Sequence, residues 1–171
     1  QVQFEEIQTE GITKITDTDI RYADALGANI KLFASSRKVD DKVYAMVAPR
    51  MIRPNHPLFS VNGVFNAMLV RGNVLGDVMF YGRGAGKLPT ASAVVADVID
   101  CVKHFAARKY LYWEDGCPEL VRPINDQIVQ MYLRVSGMPE EELTAAVEKV
   151  FGSAQRIERD DVHGEAGFIL P

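Results

Sequence analysis

Apolar positions along the chain fall into strand-like runs and helix-like stripes, separated by glycines, prolines and charged clusters. Ile20, Ala23 and Leu26 recur at helical spacing, which predicts a helix over residues 15–27. Thr16 or Asp17 can cap its first amides, acidic residues in the first turn suit the dipole, and Gly27 stands at a left-handed C-cap. Ile30–Ala34 and Val43–Ile52 read as strands on either side of a charged turn, Arg37–Lys42. Pro49–Pro57 contains three prolines and is expected as loop or sheet edge. Phe65–Val70 and Val74–Tyr81 are β-rich runs joined by Arg71-Gly72-Asn73, a hairpin pattern. Both runs are apolar at nearly every position, which predicts burial on both faces. From Pro89 to Ala107, the residues Val94, Val95, Val98, Ile99, Val102 and Phe105 form one helical stripe. Pro89 falls in the first turn, where its missing amide costs nothing.

Composition shifts at Arg108–Pro123, which is rich in aromatic, charged and proline residues and reads as a linker. Gln130–Val135 follows as a strand, Pro139–Phe151 as an amphipathic helix, Ala154–Arg159 as a strand and Gly164–Leu170 as another. Pro139 and three glutamates open that helix, and Gly152 closes it. The order β-α-β-β resembles the front of a ferredoxin-like βαββαβ unit.

The 171 residues are 47% hydrophobic and 25% charged, the balance of an ordinary globular chain, so disorder, collagen and a disulfide miniprotein are excluded. No apolar run approaches the roughly 20 residues of a membrane span. A net charge of −4 argues against nucleic acid as a partner. Cys101 and Cys117 are too few for a disulfide framework, and a soluble, cytoplasmic protein is expected. The chain opens on Gln1 and closes in the strand-like run Gly167–Pro171, so it is expected to be cut from a longer protein.

Candidate chemistry concentrates in Gly82-Arg83-Gly84-Ala85-Gly86-Lys87-Leu88-Pro89-Thr90, between the second hairpin strand and the long helix. Glycines permit close approach to a ligand, and a following helix N-terminus attracts anions. Lys87 stands where a dinucleotide fingerprint needs its last glycine or alanine, and the spacing is one residue short of a P-loop. The run therefore reads either as an anion or cofactor loop or as a turn packing a helix on a sheet. His56, His104 and His163 have no metal-ligand spacing, and no metal is expected. Asp17, Asp19 and Asp24 read as caps and a solvated face; Ser35, Ser36 and Ser92 lack a nucleophile-elbow context; Lys14 and Lys31 read as surface lysines.

Longer blocks carry a resemblance. Glu10–Ile15, Tyr22-Ala23, Leu26-Gly27, Ile30–Leu32, His56–Leu58, Val61-Asn62, Phe65–Ala67, Met79–Gly86 and Leu88–Val94 resemble, in order and spacing, the later half of a homoserine dehydrogenase. The resemblance implies an α+β fold: a mixed sheet with packed helices from the distal substrate/dimerisation domain, then a truncated ferredoxin-like ACT module. It assigns residues 1–107 to the first part, 108–129 to a linker and 130–171 to the partial ACT-like module. It further implies an enzyme interconverting L-aspartate 4-semialdehyde and L-homoserine with NADP or NAD, working as a homodimer, with a possible amino-acid effector and no membrane or nucleic-acid partner.

By that resemblance Gly86 touches the nicotinamide cofactor, supported by Gly82, Gly84 and Thr90. The family's nucleotide-binding domain and its G-x-D-x-x-x-K segment with the catalytic lysine lie upstream of the match. No catalytic residue is therefore assigned, neither Lys14, Lys31 nor Lys38, and the chain alone is expected to be inactive. The long helix is expected to pack on the nucleotide domain. Ser136–Glu140 replaces the Asp-x-Pro-Gly turn usual in ACT modules. The alternative is a non-catalytic amino-acid-binding or dimerisation module.

Overall fold

In the computed structural model, which describes residues 2–107, 112, 116–117 and 119–171, helix α1 spans Asp17–Ala25. Thr16 caps it: the Asp19 amide donates to Thr16 Oγ1 while the Asp19 carboxylate accepts from the Thr16 amide at 2.8 Å. The buried face is Asp19, Tyr22 and Ala23, whereas Ile20 is exposed. The apolar spacing thus located the helix and its buried Ala23, but Ile20 is exposed and the buried Asp19 takes a position that hydropathy assigns to solvent.

The chain forms two compact units, residues 1–53 with 114–171 and residues 54–113. In the first, β2 (Asn29–Val39) and β3 (Lys42–Ile52) make a long antiparallel ribbon that turns at Asp40-Asp41, with Asp40 at φ +52°. The expected charged turn is thus mostly strand. A short β1 (Gln8–Thr9) adds parallel to β3 at Met46 and Val47. Pro49 lies within β3, opposite Leu32. The Val47 carbonyl accepts from the Glu10 amide at 2.7 Å. Pro49, two residues on, turns its missing donor to that same edge beyond the end of β1, so no ladder bond is lost. Farther along this edge, Val43 exchanges 2.8 Å bonds with Leu120 and Arg122, which places part of the expected linker beside β3.

The same unit holds β6 (Met131–Ser136), α3 (Glu140–Phe151), β7 (Gln155–Ile157) and β8 (Glu165–Leu170). The three strands are antiparallel in the order β6-β8-β7. Alternation sorts the side chains of β8: Ala166, Phe168 and Leu170 pack with Leu143 and Val147 of α3, joined by Leu133 and Val135. Gly167 faces the other way, where a Cβ would sit 2.8 Å from the Tyr22 ring. The sheet is therefore covered by α3 on one side and by α1 on the other.

In the second unit, β4 (Phe65–Gly72) pairs antiparallel with β5 (Gly76–Arg83), and helix α2 spans Lys87–Lys103. The turn is Asn73–Leu75, later than the glycine pattern suggests, with Gly72 opposite Gly76. The hairpin is not buried on both faces: Met68 and Phe80 are 64% and 63% exposed. No residue of α2 is buried, and its stripe of Val94, Val95, Val98, Ile99 and Val102 is open. Among the described residues no helix is long and apolar enough to cross a membrane.

Candidate functional site

The glycine run begins inside β5 and ends at the first turn of α2. Gly82 is the ladder partner of Asn66 on β4, and a Cβ added at Gly82 would meet nothing within 4 Å. Gly84 follows the last β5 residue and donates its amide to the Val64 carbonyl at 3.1 Å, extending the pairing by one step. A Cβ at Gly84 would fall 1.7 Å from Asn66 Nδ2 and 2.4 Å from Asn66 Cγ. The absent side chain is what makes room for the Asn66 carboxamide.

Gly86 is the N-cap of α2 at φ +118° and ψ 142°, a conformation that L side chains rarely adopt. Its carbonyl accepts from the Thr90 amide at 3.1 Å, the first bond of the helix. Thr90 is exposed in that first turn. Among the described residues no side chain caps α2, and its first turn holds no acidic residue. Pro89 supplies no amide, so Lys87 and Leu88 carry the amides that the helix geometry leaves without an internal partner. Lys87 is the first helical residue, where its charge opposes the positive dipole end by about 0.3–1 kcal/mol. Arg83, at the end of β5, lies 5.5 Å over the Phe65 ring, which itself stacks on Tyr81 at 4.9 Å. One short stretch of chain thus carries two cations, Arg83 and Lys87, and the positive dipole end of α2, an arrangement suited to an anionic group such as a phosphate. Gly82 leaves open space for it, the Pro89 ring lies 3.4 Å from where a Gly86 Cβ would sit, and the space at Gly84 is taken by Asn66. The residues present thus fit a phosphate-bearing cofactor.

The other sequence candidates lie elsewhere. Lys14 is exposed ahead of α1, Lys31 is half-buried on β2, and Lys38 is an exposed β2 residue 4.0 Å from Asp41. His56 accepts from the Leu58 amide through Nδ1 at 3.1 Å, and His104, the C-cap of α2, pairs with Asp100. Among the described residues no group of His, Cys, Asp and Glu is placed to hold a metal ion. Asp17 and Asp24 are solvated, but Asp19 is not. Its carboxylate accepts from the Thr16 hydroxyl at 2.6 Å, the Tyr132 hydroxyl at 3.1 Å and Arg134 at 2.9 Å, and Arg134 also reaches Glu165 at 3.4 Å. Burial alone would raise the Asp19 pKa, but the hydrogen bonds from Thr16 and Tyr132 and the Arg134 charge outweigh it and hold the carboxyl below its ordinary value. Burial and the neighbouring Asp19 charge push the Tyr132 hydroxyl well above the usual tyrosine range. This cluster is a clasp between α1 and β6. Sequence reasoning missed both Asn66 at the glycine run and this structural clasp; Asn66 lay within the quoted block Phe65–Ala67 but carried no motif.

The family model described as homoserine dehydrogenase matches residues 1–99, which contain the whole glycine run. The chain belongs to the homoserine dehydrogenase family. It is 50% identical over 106 residues to the homoserine dehydrogenase of Synechocystis sp., covering 60% of this chain and 24% of that protein. The Pseudomonas aeruginosa homoserine dehydrogenase is 44% identical over 102 residues, again 60% of this chain and 24% of the relative. Among solved structures, a homoserine dehydrogenase from Thiobacillus denitrificans superposes with a TM-score of 0.72 at 30% identity, over 98% of this chain and 41% of that one. The S. aureus homoserine dehydrogenase at pH 7.0 gives 0.68 at 29% identity, over 99% and 42%. The chain thus spans about a quarter of the curated homoserine dehydrogenases it matches, and the structural likeness continues beyond the family-model match into β6–β8.

Proposed function

We propose that the chain is the distal portion of a homoserine dehydrogenase that interconverts L-homoserine and L-aspartate 4-semialdehyde with NADP or NAD. The observation that carries the reading is the family match across residues 1–99, which includes the strand–glycine–helix junction. A bound nicotinamide cofactor supplies the hydride acceptor or donor. The chain's own part is to hold that cofactor: the Lys87 and Leu88 amides and the Arg83 and Lys87 charges attract its anionic part, while Gly86 lets the backbone approach closely. Gly82 keeps the β5 side of the approach clear, and Thr90 fixes the first helical turn on the Gly86 carbonyl. The proton released from the homoserine hydroxyl goes to a lysine outside this chain, so the isolated chain is inactive.

The same reading takes residues 1–107 as the distal substrate/dimerisation portion, 108–129 as linker and 130–171 as a partial ACT-like module. The antiparallel order β6-β8-β7 with α3 on one face supports the last assignment, since it is the arrangement of the first three strands of a ferredoxin-like unit. Gly137, at φ +93°, opens the β6–α3 turn, and a Cβ there would meet nothing within 4 Å, which leaves room for an amino-acid effector. A homodimer in the cytoplasm completes the proposal, with the exposed hairpin face as its contact. The direct test is an NADPH titration of the complete reading frame's product with and without Gly86→Ala. Forcing an alanine to φ +118° costs on the order of 1–3 kcal/mol, so affinity should fall about tenfold or more while far-ultraviolet dichroism is kept. Unchanged affinity would remove Gly86 from the cofactor site.

A further inference from the structure

Asn66 is an exposed β4 residue with no part in the proposed cofactor contacts, yet its carboxamide abuts the glycine run at Gly84. It sits on β4 opposite Gly82, and its carboxamide fills the space that any side chain at position 84 would need. Among the described residues, two glycines thus flank one carboxamide: Gly82 across the ladder and Gly84 beneath the amide nitrogen. The Gly84 amide is meanwhile tied to the Val64 carbonyl, two residues before Asn66. The segment Val64–Asn66 therefore meets Gly84 twice, through the Val64 carbonyl by a hydrogen bond and through the Asn66 side chain by van der Waals contact. Two residues farther on, Gly86 must adopt φ +118° to start α2.

From this packing we infer that Asn66 is the positioning residue of the glycine loop. Gly84 is glycine in order to seat the Asn66 carboxamide, not to admit a ligand, and the seated carboxamide fixes where Gly86 and the Lys87 and Leu88 amides point. The inference rests on the cofactor-site reading of the loop for its functional consequence, but the coupling of Asn66 to the loop is a property of this chain's own packing. Among the three glycines of the run, then, Gly86 serves the ligand, Gly84 serves Asn66, and Gly82 serves both by carrying no side chain.

The test is a double-mutant cycle on the product of the complete reading frame: Asn66→Ala, Gly84→Ala and the two together. Two readouts are taken, amide hydrogen exchange across residues 84–90 without cofactor, and KM for the nicotinamide cofactor beside KM for homoserine. Asn66→Ala should speed exchange at the hydrogen-bonded Gly84 and Thr90 amides and raise the cofactor KM about fivefold to tenfold, with the homoserine KM unchanged. Gly84→Ala should do the same or more, and adding Asn66→Ala should relieve part of the Gly84→Ala defect, because the space is then free. Wild-type exchange in Asn66→Ala, or a double variant no better than Gly84→Ala, overturns the inference. Coupled exchange with no cofactor-dependent change would keep Asn66 as the positioning residue and instead refute the cofactor reading of the loop.

Discussion

Asp19 shows how one carboxylate can be held inside a fold. Four donors converge on it, the Thr16 amide and hydroxyl, the Tyr132 hydroxyl and Arg134, so the charge loses water but not hydrogen bonds. Its pKa is lowered, which means the unfolded chain binds a proton more readily than the folded one. The stabilisation it gives is complete above the ordinary aspartate value of 3.8 and is lost as pH falls through the lowered pKa. Asp19→Asn is therefore expected to destabilise the chain by about 1–3 kcal/mol at pH 7. In urea titrations the gap between variant and wild type should close as the pH is taken below 4; a gap independent of pH would show that the charge is not what matters. The sequence placed Asp19 in the cap correctly and in solvent wrongly. Its partners Tyr132 and Arg134 lie more than a hundred residues away, and no local pattern joins them.

At the scale of the element, the boundaries follow local chemistry closely where backbone rules dominate. Thr16 with Asp19, Pro139 with three glutamates, and Gly152 at φ +79° start or stop helices where capping preferences put them. The β4–β5 turn was harder to place. Apolar Val74 and Leu75 belong to the turn, and the register is helped by the bidentate Arg71–Asp77 pair at 2.6 and 2.8 Å, a charged cross-strand contact that hydropathy does not register. Helix α2 is the reverse case: its stripe was plain in the sequence, but no residue of the helix is buried. A helix of 17 residues with an open apolar face favours association, since burying that face is worth about 25 cal/mol per Å². The isolated chain is expected to sediment as concentration-dependent oligomers, and Val95→Glu with Val98→Glu should shift it toward monomer. A chain that stays monomeric as its concentration is raised would contradict this.

Across the whole molecule, the sheet of β6, β8 and β7 is sandwiched between α3, its sequence neighbour, and α1, which lies within the segment matched by the family model. Residues 130–171 share one compact unit with the N-terminal part, joined to it by Tyr22 on Gly167 and Arg134 on Asp19. The order of strands and helices was legible because each element is short and well punctuated. The sandwich was not, because a glycine that exists to admit a distant tyrosine looks like any other glycine. The glycine run was legible as a loop at a strand–helix junction, while its division of labour depends on Asn66, across the hairpin. The most direct measurement is homoserine-dependent NADP reduction, run side by side on the complete reading frame's product and on this chain. Turnover in the long form alone is the expected result. Turnover by this chain would contradict the placement of the acid–base group upstream, and none in a folded long form would leave a binding or assembly module in place of an enzyme.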